Sequence, residues 1–255
     1  MLRVTELRPD TRRVYEFLRE DPDIGKFRLI GGTAIALHHS HRESEDLDFI
    51  SIETRPDDPY PKLDRRVVVN IVDRLGANGF DTTLLFDQVD FDLATDHGVD
   101  LMYAHQNWLI DKVKLSFFTP ATLEKAKLFA NAELVSDGEI RILSSQALFE
   151  IKSRLLVERA TSRDLYDLWF YMDRQGRTME EVFAFALNEN PAYTDELLKK
   201  RLLPPRQSVA DPGFLPRLGD GPKDFDELRQ RIEVLVNAYE IRVAADVALD
   251  FLKPK

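Results

Sequence analysis

Cysteine is absent from this chain of 255 residues. That excludes disulfides and thiolate metal sites, and it fits a reducing compartment. Long apolar runs are also missing. No stretch approaches the length of a membrane span, and the opening MLRVTELRPDTRR lacks the apolar core of a signal peptide. A soluble cytoplasmic protein without a membrane partner is the expectation. Positive charge is in short supply: 35 Lys and Arg stand against 45 Asp and Glu, a net charge of −10. This weighs against a broadly basic nucleic-acid surface, while a local basic groove stays open. There is no internal repeat and no low-complexity tract. Apolar content is ordinary at 44%, so 255 residues suit one large domain or two modest ones.

What the chain does have is concentrated between Leu29 and Phe49, LIGGTAIALHHSHRESEDLDF. A short apolar run, Phe27 to Ile30, ends in Gly31-Gly32, and Thr33 to Leu37 reads as the start of a helix. A polar connection leads to Asp46-Leu47-Asp48-Phe49-Ile50, where apolar and acidic residues alternate. Period-two alternation predicts a strand with Asp46 and Asp48 on one face. Adjacent carboxylates repel, and a divalent cation that suits oxygen ligands, Mg²⁺ with Mn²⁺ as the alternative, would hold both. Gly31 and Gly32 lack a Cβ and let a ligand approach the backbone at a helix N-terminus, where an anion such as phosphate is favoured. The two halves together describe a nucleoside triphosphate–Mg²⁺ site. The plain alternatives are a tight glycine turn and exposed strand acids.

Gly31-Gly32, thirteen residues, then Asp46-x-Asp48 resembles the signature of the DNA polymerase β-like nucleotidyltransferase superfamily. The fuller string GGTAIAL…HR-x-S-x-DLDF is similar to the AbiEii/AbiGii-type nucleotidyltransferase toxins of bacterial toxin–antitoxin systems. The resemblance implies an α+β fold: a polymerase β-like mixed sheet with flanking helices, then a C-terminal helical domain, with the nucleotide in a cleft between them. It implies transfer of an NMP from an NTP to an acceptor, with a tRNA or other RNA 3′ end as acceptor and a cognate antitoxin as partner. A protein hydroxyl (AMPylation), a small molecule, or a catalytically silent nucleotide-binding module are the alternatives. It places Thr33, Arg42 and Ser44 beside the triphosphate, although each has a bland reading as a cap, a turn or a surface charge.

A second constellation lies in IKSRLLVERATSRDLYDL. Its plain reading is an amphipathic helical hairpin with an Arg163–Asp167 pair at i, i+4. In the family pattern a lysine is followed by an Arg-Asp-x-x-Asp-Leu element, which Lys152, Arg163, Asp164 and Asp167 match. Lys152 is then the charge facing phosphate or base, and Asp164 or Asp167 steadies it or accepts a proton. One departure stands out. Where the superfamily often carries a third carboxylate on a neighbouring strand, this chain runs Lys112-Val-Lys-Leu-Ser-Phe-Phe. Asp92, Asp100 and Asp111 are the candidate substitutes, Asp100 best placed. His38, His39 and His41 lack the spacing of a zinc ligand set.

Read in order, Thr11–Glu20 is predicted helical, with Asp10 or Thr11 as cap after Pro9. Leu63–Leu75 is predicted helical with Asn78-Gly79 as the stop. Strands are predicted at Thr82–Phe86, Phe91–Thr95, Val99–Ala104 and Lys112–Phe118, as an antiparallel meander extending the first sheet. A helix at Leu123–Ala132 and a strand at Ile140–Leu143 follow. The domain boundary is placed after Leu143, giving 1–143 and 144–255. Helices are predicted at Gln146–Arg159, Arg163–Arg174, Thr178–Asn188 and Thr194–Leu202, and a long one at Phe225–Leu252 with a break near Glu240. Lys152 and Arg159 should share one side of the first of these. Pro204–Pro222, rich in Pro, Gly and Asp, reads as either a crossing loop or a mobile one.

Overall fold

The computed structural model describes residues 2–54, 60–85, 101–211 and 213–252. They divide into two compact units, Met1–Leu148 and Phe149–Lys255.

The first unit is built on one mixed sheet of seven strands among the described residues, in the order β3-β4-β5-β2-β1-β7-β6. The strands are β1 Phe27–Ile30, β2 Leu47–Ser51, β3 Thr82–Leu85, β4 His105–Ile110, β5 Val113–Phe118, β6 Leu134–Asp137 and β7 Ile140–Leu143. β1 lies at the centre, antiparallel to β2 and parallel to β7. β2 runs parallel to β5, so the β3-β4-β5 meander joins the sheet through that pairing. The central strands are buried on both faces, which is why FRLI is apolar nearly throughout.

Helices α1 Pro9–Leu18, α2 Gly31–His39, α3 Arg65–Ala77 and α4 Leu123–Asn131 accompany the sheet. Thr33 to Leu37 are all buried in α2. A helix apolar on every side belongs inside a core. α3 presents Val67, Val68, Ile71, Val72 and Leu75 inward, and Asp64 caps it by accepting from the N–H groups of Arg66 and Val67. Gly79, at φ +81°, ends the turn that follows.

The second unit is helical. Helix α5 Ser145–Leu155 leads into it, followed by α6 Ser162–Arg174, α7 Met179–Glu189, α8 Asp195–Leu202 and α9 Phe225–Leu252. α6 buries Leu165, Tyr166, Leu168, Trp169, Phe170 and Met172, and α9 packs against α6, α7 and α8. α9 buries Leu228, Ile232, Val236 and Tyr239, a stripe at helical spacing.

Several expectations are corrected. α1 starts at Pro9 itself with no side-chain cap, because proline is pre-set for the first helical position. Thr11 instead donates to the Glu45 carbonyl. Leu101–Tyr103 form a 3₁₀ turn rather than the end of a strand. Strands β4 and β6 occupy stretches expected to be loop. α5 stops at Leu155, four residues before Arg159, with turn bonds from Leu156, Glu158 and Arg159 after it. α9 runs unbroken through Glu240. The predicted strand Phe91–Thr95, together with Asp92 and Asp100, lies outside the described residues.

Candidate active site

β1 passes into α2 without a connecting loop. That junction needs Gly31 at φ +76°, a left-handed backbone that side chains avoid. The register pairs Ile30 with Asp48, which brings the Asp48 carboxylate to the junction. A Cβ on Gly31 would lie 2.7 Å from Asp48 Oδ2. The N-cap position, Ile30, gives no side-chain cap to the N–H groups of the first turn. The acid and the double glycine therefore meet at one point.

The polar connection before β2 closes over the same helix end. Gly32 sits under Arg42 and Ser44: a Cβ there would come within 2.5 Å of Arg42 Nη2 and 3.0 Å of Ser44 Oγ. Arg42 is 3% exposed and donates from Nη1 to the Glu43 carbonyl at 3.0 Å. Thr33 is also buried. Its hydroxyl donates to the Asp46 carbonyl, so at 2.8 Å it accepts from Ser44 Oγ. The loop is pinned to α1 by Thr11 on Glu45 and by the Arg8–Glu45 ion pair. Thus Gly31, Gly32, Thr33, Arg42, Ser44, Asp46 and Asp48 are brought together. Asp46 and Asp48 are half-buried, which leaves part of each open to a ligand.

Two residues that sequence reasoning did not single out share that face. Ser116 on β5 is the register partner of Asp48, and Asn107 on β4 is the partner of Ser116. One step before the paired Leu47 and Leu115 come Asp46 and Lys114. The only available signal was the run Lys112 to Phe118, visible as a departure but not placeable without the register. His105 sits further along the same face. Its Nε2–H donates to Asn107 Oδ1 at 3.0 Å. Burial lowers its pKa, and Asp48 and Lys114 act on it in opposite directions. Asp111 takes the left-handed turn between β4 and β5, at φ 52°, where it pairs with Arg13 at 2.7 Å and accepts from the Asp81 N–H. Those bonds give it a turn-holding role.

The second unit gathers the other predicted group. Lys152 Nζ lies 2.7 Å from Asp164 Oδ1 and 2.8 Å from Asp167 Oδ2. All three are buried. Arg159 reaches Asp164 Oδ2 at 3.1 Å from beyond the end of α5. Thr161 caps α6 and donates to Asp164 Oδ2 at 2.7 Å. Burial works against the charged form of Asp164. Lys152, Arg159 and the bonds from Lys152 and Thr161 outweigh it and hold the carboxyl below the usual range. Arg163 turns to the loop that follows the helices. Its Nε donates to the Gly213 carbonyl at 3.0 Å, while Asp211 accepts from Ser162. Described parts of Pro204–Pro222 are thereby tied to the start of α6.

The histidines near α2 are held by the fold. His38 Nε2 donates to the Leu143 carbonyl at 2.8 Å, and His39 Nε2 is 2.6 Å from Ser145 Oγ. Among the described residues no group of three or more His, Cys, Asp or Glu is placed to hold a metal.

A glycine-opened helix end facing strand aspartates, on a mixed sheet followed by a helical unit, is the ground plan of a nucleotidyltransferase. The sequence model of the family described as nucleotidyl transferase AbiEii toxin, type IV toxin–antitoxin system, matches residues 13–238. The chain belongs to that family. An uncharacterized protein of Aquifex aeolicus is 28% identical over 156 residues, which is 61% of this chain and 62% of the relative. The chain therefore spans less than two thirds of that relative's length. Among solved structures, MenT4, a nucleotidyltransferase toxin of Mycobacterium tuberculosis, is 17% identical with TM-score 0.44 over 90% of this chain and 86% of that one. JHP933 of Helicobacter pylori is 13% identical with TM-score 0.44 over 96% and 99%. Both likenesses are distant. No helix among the described residues is long and apolar enough to cross a membrane.

Proposed function

We propose that this chain transfers a nucleoside monophosphate from an NTP to the 3′ end of a tRNA or another RNA, and that it acts as the toxin of a toxin–antitoxin pair with a cognate antitoxin. The close approach of the Asp48 carboxylate to Gly31, which leaves no room for a side chain there, carries the reading, because it brings a carboxylate to a helix N-terminus. The reaction makes a bond from the acceptor oxygen to the α-phosphorus and breaks the acceptor O–H and the bond to pyrophosphate. Alignment of the two partners supplies most of the rate, with no covalent enzyme intermediate.

The donor set suits Mg²⁺ or Mn²⁺: two half-buried carboxylates, Asp48 on β2 and Asp46 one residue before that strand begins, both oxygen donors. Such an ion, when bound, neutralises phosphate charge and acidifies the acceptor hydroxyl. The chain's own residues do the rest. Asp46 and Asp48 hold the cation. The N–H groups at Gly32 and Thr33 and the Arg42 fork receive phosphate oxygens. Ser44 holds Thr33, and through it the Asp46 backbone. Within the second unit, Lys152, steadied by Asp164 and Asp167, is the charge that the family pattern assigns to phosphate, and Arg163 holds the Gly213 carbonyl.

Incubation with each radiolabelled NTP and total tRNA, beside an Asp48→Ala control, tests this. The expected result is label on tRNA that the substitution abolishes. Label on protein, or on small molecules alone, would redirect the acceptor to the AMPylating or small-molecule reading. No transfer with any NTP would leave the silent module.

A further inference from the structure

Beside Asp48, β5 sets a serine and a lysine and carries no carboxylate. Ser116 is 2% exposed, pairs in register with Asp48, and its Oγ has no hydrogen-bond partner. A buried hydroxyl with unspent capacity beside a carboxylate is a place kept for a ligand. Lys114 lies two residues before it on the same face, one step before Leu115, whose partner Leu47 directly follows Asp46. It is half-buried and forms no ion pair among the described residues. Asn107, on the far side of Ser116, is neutral as well.

We infer that this site takes a single divalent cation, and that Lys114 is a resident ammonium standing where a second cation would otherwise sit, with Ser116 as a neutral oxygen beside it. The inference rests on the nucleotidyltransferase reading of Asp46 and Asp48. Two carboxylates balance one divalent ion. Without nucleotide phosphates as ligands, a second divalent ion would need at least one more negative side chain, and a fixed positive charge one strand away repels it. Among the charged and titratable groups of β2, β4 and β5 around Lys114 are Asp46, Asp48 and His105, and the responses of His105 to both Asp48 and Lys114 place the three within electrostatic reach.

The test counts Mn²⁺ bound to the full chain by electron paramagnetic resonance of the free ion, with the metal alone as probe. The wild type should bind about one Mn²⁺, lost in Asp48→Asn, whereas Lys114→Met/Ser116→Asp should bind about two. Should that double variant fail to fold, Lys114→Gln serves: it should tighten the single site about tenfold, while Lys114→Arg should not. About two Mn²⁺ on the wild type, including a count that falls in Asp92→Asn or Asp100→Asn, would overturn this inference and leave the nucleotidyltransferase reading intact. So would a folded double variant that stays at one, or an unchanged affinity in Lys114→Gln. A wild type with no Asp48-dependent Mn²⁺ would overturn both, which separates the two failures.

Discussion

Gly32 has no space for a methyl group. Alanine there would push a Cβ to 2.5 Å from Arg42 Nη2, the end of a side chain that can move. Gly32→Ala should therefore fold, with Arg42 displaced from the helix end. Label transfer should fall about 10- to 100-fold, as a misplaced phosphate ligand of about 1 Å would give. Gly31→Ala differs in kind. Its φ of +76° and the Asp48 oxygen at 2.7 Å allow no cheap relief. It should lose about 1–2 kcal/mol of stability from the left-handed backbone alone, read by urea denaturation. Equal effects of the two substitutions on stability would refute this distinction. The buried triad in the second unit gives the other residue-scale prediction. Lys152→Met leaves Asp164 and Asp167 buried without their ammonium and should cost about 3–5 kcal/mol near neutral pH. In the wild type the Asp164 carboxyl is held below its ordinary 3.8, so its contribution is present above that pH and fades as pH falls. In the variant the stranded acids take up protons readily. The stability gap should then narrow on acidification, and a gap independent of pH would argue against an ionic triad.

At the scale of elements, α2 carries the site at one end and a buried imidazole at the other. His39, in its last turn, is pushed down to about 4 by burial first, then by His38, His41 and Arg3. A helix C-terminus favours a cation, but here desolvation wins. Below its unfolded value near 6.5 the unfolded chain binds a proton that the folded chain refuses. Stability should thus decline from about pH 6.5 toward 4, and His39→Gln, which keeps a partner for Ser145, should flatten that decline in thermal melts. An unchanged slope would exclude His39 as its source. The same element was legible in the sequence because its signals are local: two glycines, then a run of small apolar residues, then period-two acids. β4 was not. HQNWLI carries three polar residues, yet Gln106 is 2% exposed, its amide donating to the Met102 carbonyl at 2.9 Å. Tertiary pairing with β5 made the strand, and no alternation announced it. β6 is a short edge strand closed by Gly138 at φ 58°, where a Cβ would collide with the Arg19 carbonyl. That contact spans distant sequence and leaves no local mark. α9 continues past Glu240 because its alanines suit a helix even where the buried stripe ends. Arg42, Ser44 and the glycines could be read from motif spacing, whereas Ser116 and Lys114 acquire meaning only through their pairing with β2.

For the whole molecule, the net charge of −10 would constrain how the RNA acceptor of the proposed reaction is held. A long footprint on phosphates needs a broad basic surface, and its affinity falls steeply with salt. An acceptor end presents a single strand to a few groups only, with Arg42 and Lys114 the cations that the first unit sets around its carboxylates. Contacts to about three phosphates imply a slope of about −2 in log affinity against log salt. Binding of fluorescent tRNA to the Asp48→Asn variant, followed by anisotropy across a salt series, measures that slope without turnover. A value of about −2 or shallower is expected, and removing Lys114 should make it shallower still. A slope of about −5 or steeper would mean an extended phosphate track, and would move RNA recognition away from the catalytic face to a basic surface that overall composition conceals.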